Sequence, residues 1–123
     1  MSEEREFTVQ EAEALLPELG AALIQIRQAR QGVLAGAEHI RRSAPANGGG
    51  APGAAYWEAT ATLRREVEWV LGLGVILRDA ESGLVDFPSR RDGQPILLCW
   101  RLGEERVAWW HGHDSGFAGR RPL

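Results

Sequence analysis

Asp86 interrupts an apolar stretch between Val85 and Phe87, where an unpaired carboxylate is costly to bury. Downstream, Glu104 falls at a glycine turn, His111 closes the segment Trp109-Trp110-His111, His113-Asp114 follows it, and Arg120 stands near the C-terminus. Mixed nitrogen and oxygen donors of this kind suit zinc, iron or manganese. Asp86, Glu104, His111, His113 and Asp114 are therefore a candidate divalent-metal set. The competing reading pairs Asp86 with an arginine and leaves His113-Asp114 in a solvated loop, since His-x-His recurs by chance. Enzymatic use would make His111 a general base oriented by Asp86 or Glu104. However, the chain has no phosphate loop, nucleophile elbow or HExxH, and no Cys-x-x-Cys-His for haem. Its single cysteine, Cys99, excludes an internal disulfide and any multi-cysteine metal site. Within Ile96-Leu97-Leu98-Cys99-Trp100 it reads as a small buried hydrophobe.

The elements that must position these residues belong to one domain of 123 residues with 44% apolar and 25% charged residues. No apolar run approaches the ~18 residues of a membrane span, and the acidic start Met1-Ser2-Glu3-Glu4 is unlike a secretory signal. A cytoplasmic location is expected. The net charge of −3 disfavours general nucleic-acid binding. All 14 basic residues are arginine, and the pairs Arg41-Arg42, Arg64-Arg65, Arg90-Arg91 and Arg120-Arg121 read as solvated surface.

Thr8-Val9-Gln10-Glu11 fits a capping box and opens a long helix expected over 7–43. Ala12, Leu16, Leu19, Leu23, Ile26, Val33, Ala37 and Ile40 form a heptad-like stripe interrupted only by Arg30, as in a coiled coil. Pro17 predicts a kink, or a separate short first helix. Gly32 and Gly36 fit either a close helix–helix approach or two tolerated glycines. A glycine-rich connector spans 44–54, and a second helix spans 55–72 with Tyr56, Ala59, Leu63, Val67 and Val70 inward. Trp57 and Trp69 are expected to pack this helical layer onto the sheet. The second helix covers only about half of the first at 1.5 Å per residue. Leu15, Leu16, Leu19 and Leu23 must therefore be covered by the sheet or by a second copy, the basis for expecting a homodimer through the long helix.

Antiparallel strands are expected over 75–111, with a turn over Asp79–Gly83, a second at Arg90-Arg91-Asp92-Gly93, and a third at Glu104-Glu105 that places Trp100 opposite Trp109. Residues 112–123 read as a C-terminal loop. The architecture is α+β: a long antiparallel helical hairpin on a small antiparallel sheet of three to four strands.

Phe7-Thr8-x-x-Glu11-Ala12, Leu15-Leu16-Pro17, Gly83-Leu-Val-Asp-Phe-Pro88, Leu98-Cys-Trp100, Gly103-Glu104, Trp110-His111 and Gly116-Phe117-x-Gly119-Arg120 together resemble the bacterial domain-of-unknown-function 2203 family, from near residue 7 to the C-terminus. The resemblance brings no activity with it. It implies that Asp86, Glu104, His111 and Arg120 belong to the family pattern whereas His113 and Asp114 do not, which lowers the His-x-His metal reading. The expectation is a small binding or interaction protein with a ligand site of Asp86, Glu104, His111 and Arg120, walled by Trp100 and Trp110. A metal-dependent enzyme and a structural helical assembly module are the alternatives.

Overall fold

The computed structural model describes residues 5–47 and 52–123. Two helices, α1 (Val9–Asn47) and α2 (Ala54–Gly72), pack against a five-stranded antiparallel sheet. The strands are β1 (Ile76–Asp79), β2 (Leu84–Arg91), β3 (Gln94–Arg101), β4 (Trp109–His111) and β5 (Arg121–Pro122), in spatial order β1-β2-β3-β4-β5. The α+β architecture is as expected. The additional strand comes from the segment read as a C-terminal loop, where Arg121 pairs with Trp110 and Pro122 with Trp109. The triple glycine of the connector and the acidic start at 1–4 lie outside the described residues.

The capping box forms as its residue types require. The Thr8 amide donates to Glu11 Oε1 (2.9 Å) and the Glu11 amide to Thr8 Oγ1 (3.1 Å), satisfying two otherwise orphaned donors. Helix α1 then runs without a break through Pro17. The single stripe along α1 serves two partners in succession. Ala12, Leu19, Leu23 and Ile26 are buried in one cluster with Val85, Phe87, Leu98 and Trp100 of the sheet, and Leu15 and Leu16 pack against it. Further along, α1 lies against α2: a Cβ on Gly32 would stand 3.2 Å from Ala59 Cβ, and one on Gly36 only 2.6 Å from Tyr56 Cδ2. The two glycines therefore mark a close helical approach. Arg30 breaks the stripe because its guanidinium pairs with Glu81 in the β1–β2 turn (2.9 Å).

Two expectations change here. The sheet covers the apolar half of α1 from which a dimer was argued, so that surface no longer calls for a second copy. Trp57 and Trp69 do not join the layers; they are 57% and 38% exposed, because each sits off the Tyr56–Leu63–Val70 face that α2 turns inward.

The β2–β3 hairpin closes on Asp92-Gly93, both with positive φ (52° and 77°), as a two-residue hairpin turn requires. That turn sets Asp86 opposite Cys99 and Phe87 opposite Leu98. The third turn is not tight. The chain loops from Arg101 to Trp109, through Gly103 at φ 105° and buried Val107, and β4 is only three residues long. Cys99, not Trp100, therefore faces Trp109, and Leu98 faces Trp110. Because paired residues share a face, Val85, Phe87, Leu98, Trp100 and Trp110 lie on the helix side. Asp86, Cys99, Trp109 and His111 lie on the outer side.

Candidate functional site

The outer face carries the unusual chemistry. Asp86 (1% exposed), Cys99 (1%) and His111 (4%) are all buried, on the side of the sheet away from the cluster that α1 forms with Val85, Phe87, Leu98 and Trp100. The chain beyond His111 folds back over them. A cleft of about 290 Å³ opens there, lined by Arg78, Leu84, Asp86, Cys99 and His111 and walled by residues 113–117.

Asp86 is doubly engaged. Its Oδ2 accepts from Arg78 Nε (2.7 Å) and its Oδ1 lies 3.0 Å from His111 Nε2. Arg78 uses only Nε for this bond, and its side chain is nearly half exposed at the cleft. The imidazole is engaged at both nitrogens, since Nδ1 lies 2.8 Å from the Gly112 carbonyl oxygen. A carbonyl can only accept, so Nδ1 carries a proton. A neutral imidazole would then point the lone pair of Nε2 at a carboxylate oxygen. That arrangement is favourable only with a positive centre that meets both atoms. Hydrogen-bonded at both nitrogens, His111 has none left for a substrate, so the general-base reading would require breaking one of these bonds.

The same geometry speaks against a cysteine nucleophile. Burial first, and the Asp86 carboxylate second, push the Cys99 thiol up to about 11, with Arg120 opposing them. Arg120 Nη1 approaches its sulfur to 4.0 Å. No histidine acts on it as a base among the described residues, so the thiol stays protonated at neutral pH.

Glu104 and Arg120 form a separate clamp. Arg120 donates from Nη1 to Oε1 (3.2 Å) and from Nη2 to Oε2 (2.8 Å). Its guanidinium lies 4.7 Å from the Trp109 ring centre and 4.2 Å from that of Phe117. Glu104 Oε1 also accepts the Arg101 amide (2.8 Å), and its backbone carbonyl accepts Trp100 Nε1–H (3.0 Å). Burial pushes the Glu104 carboxyl up, but the hydrogen bonds from Arg120 and the Arg101 amide outweigh it and hold the group below its ordinary range. This clamp ties the β3–β4 connection to the C-terminal segment.

The four polar residues expected to form one pocket therefore divide. Asp86 and His111 are bonded to each other, Glu104 and Arg120 are bonded to each other, and Arg120 reaches the first pair's cleft through Cys99 and through the Phe117 ring. Glu104, held by Arg120, is not in the metal-ligand group. His113 and Asp114 line the cleft from exposed positions. Trp100 and Trp110 lie on the helix side of the sheet and do not wall this cleft. Sequence reasoning missed Arg78 and Cys99 as members. The Asp92-Gly93 turn was the available signal for Cys99, because counting outward from it places Cys99 opposite Asp86.

The family model described as an uncharacterized conserved protein (DUF2203) matches residues 5–123. The chain belongs to DUF2203. No curated protein and no solved structure matches it. Within this DUF2203 chain, the Gly83–Pro88 and Trp110-His111 motifs converge on the Asp86–His111 pair. Gly103-Glu104 and Gly116–Arg120 meet in the clamp. No helix among the described residues is long and apolar enough to cross a membrane.

Proposed function

We propose that this DUF2203 protein is a small cytoplasmic binding protein that takes a ligand bearing an anionic group in the outer-face cleft. The observation that carries this reading is Arg78: its Nε is anchored on buried Asp86, and its two Nη groups bond no protein acceptor among the described residues. A guanidinium held this way offers a preorganised fork to a carboxylate or phosphate. His113 and Ser115 at the rim add further donors, while Asp114 selects against ligands of high negative charge.

Amide chemical shifts of isotopically labelled protein, recorded in EDTA while acetate and inorganic phosphate are titrated separately, test the reading. Saturable shifts in 112–117 and around Arg78, lost in Arg78→Gln, are expected. Shifts confined to the helices, or none, would sink it. A second reading, homodimerisation through the helices, is favoured by exposed Ile24, Leu34, Trp57 and Leu71. Sedimentation at micromolar concentration decides it, since a monomer there ends the dimer reading.

A further inference from the structure

We infer that the base of this cleft is a site for a divalent transition metal of the zinc class, held by Asp86 Oδ1, Cys99 Sγ and His111 Nε2. This inference deepens the ligand-binding reading of the same cleft and rests on it for the role of the open coordination position. Among the described residues these three side chains bring one ligand atom each to within 4.8 Å of one another, and all three are buried. A tetrahedral zinc site separates sulfur and nitrogen ligands by roughly 3.6 Å, given metal bonds of about 2.3 and 2.0 Å. Closing the group onto an ion thus asks for about an ångström of adjustment. The 3.0 Å between His111 Nε2 and Asp86 Oδ1 already matches two ligands of one metal.

Three features favour a metal over an inert polar cluster. The first is the hydrogen-bond inventory of His111. Nδ1–H donates to the Gly112 carbonyl, which leaves Nε2 as the ring's ligand atom, 3.0 Å from Asp86 Oδ1, so that an ion about 2.0 Å from each would lie beside the line joining them. The second is that every donor has an outer partner: Gly112 for His111, Arg78 for Asp86 Oδ2, and Arg120 for Cys99. Such partners orient ligands and tune the metal. The third is charge. Aspartate, together with the thiolate formed when the ion displaces the Cys99 proton to solvent, neutralises a divalent ion, and Glu104 neutralises Arg120. Arg78 remains as the positive group beside the open fourth position, where an anionic ligand could meet both. Donors of nitrogen, oxygen and sulfur together select zinc or cobalt(II) over magnesium or calcium.

Cobalt(II) titration of the reduced, untagged, full-length protein tests the inference, because cobalt reports its ligands optically. The expected result is one cobalt per chain, with the strong visible bands of a four-coordinate ion and a sulfur-to-cobalt charge-transfer band in the near ultraviolet. One equivalent of zinc should remove these bands. Cys99→Ser should lose the charge-transfer band, His111→Ala should lose stoichiometric binding, and His113→Ala should change neither. Circular dichroism confirms that each variant is folded. The wild-type spectrum decides even if a variant does not fold: no cobalt or zinc uptake, or uptake without a sulfur band, overturns the proposal. So does a sulfur band that survives in folded Cys99→Ser. The acetate and phosphate titrations in EDTA remain a separate readout. Anion shifts without metal uptake leave the cleft reading standing and end the metal site; metal uptake without anion shifts does the reverse.

Discussion

The two faces of the sheet are built from the same strands by alternate residues, yet they solve burial in opposite ways. On the helix side, Val85, Phe87, Leu98 and Trp100 are apolar and packed against α1. On the outer side, their immediate neighbours Asp86 and Cys99 are equally buried, but under a loop, and the carboxylate there is satisfied by Arg78 and His111. Burial by a helix requires apolar shape, whereas burial by a short polar loop permits a hydrogen-bonded cluster that still opens to solvent. The first face supplies the apolar core; the second holds a bonded polar cluster.

If that division is right, substitutions on the two faces should differ in kind as well as in size. Phe87→Ala, which removes a fully buried ring stacked edge-on against Phe7 at 5.3 Å, should cost about 3–5 kcal/mol in urea unfolding. A loss near zero would break the comparison. Asp86→Asn leaves the shape intact but weakens the bonds to Arg78 and His111, and should cost about 1–3 kcal/mol. The same variant should abolish anion-dependent shifts at the cleft, which Phe87→Ala would leave present in whatever fraction remains folded.

The helical hairpin offers a reference point away from both faces. Gly36→Ala places a methyl against the Tyr56 ring. The overpacking cost exceeds the ~1 kcal/mol gained in helix propensity, for a net loss of about 1–2 kcal/mol in thermal or urea unfolding.

Glu104→Gln should have the smallest effect, about 1 kcal/mol at neutral pH, and should leave cobalt spectra unchanged because Glu104 serves the clamp. Its signature is pH dependence. The Glu104 carboxyl is held below its ordinary value of 4.5, so its contribution is complete above that value and is lost as pH falls through the lower folded value. Urea midpoints of wild type and Glu104→Gln should therefore differ at pH 7 and converge in acid. Parallel curves would contradict the clamp.

Much of this architecture could be read directly from residue types. Thr8 and Glu11 announce the start of α1, Gly32 and Gly36 offer a close approach to α2, and Arg90-Arg91-Asp92-Gly93 marks a turn, because each depends on local backbone chemistry. Asp86 and His111 stand out as polar residues inside apolar strands, and the structure bonds them to each other. The grouping of Glu104 and Arg120 with them could not be resolved. It depends on the loop from Arg101 to Trp109, whose length in space no local signal sets. A tight turn there would have put Trp100 and Trp109 on one face; the observed loop instead aligns Cys99 with Trp109 and moves Trp100 to the helix side.

What the sequence determined by itself was the set of local conformations: helix starts, turns, and which strand positions were polar. Periodicity and capping act over a few residues, so they survive without knowledge of the rest of the chain. Only the tertiary structure decided that Cys99 joins Asp86 and His111, that Arg120 turns to Glu104, and that the sheet covers the leucines of α1. Those outcomes depend on register and on which segment folds over which face, and a side chain's partner across a sheet is set by pairing, not by its neighbours along the chain.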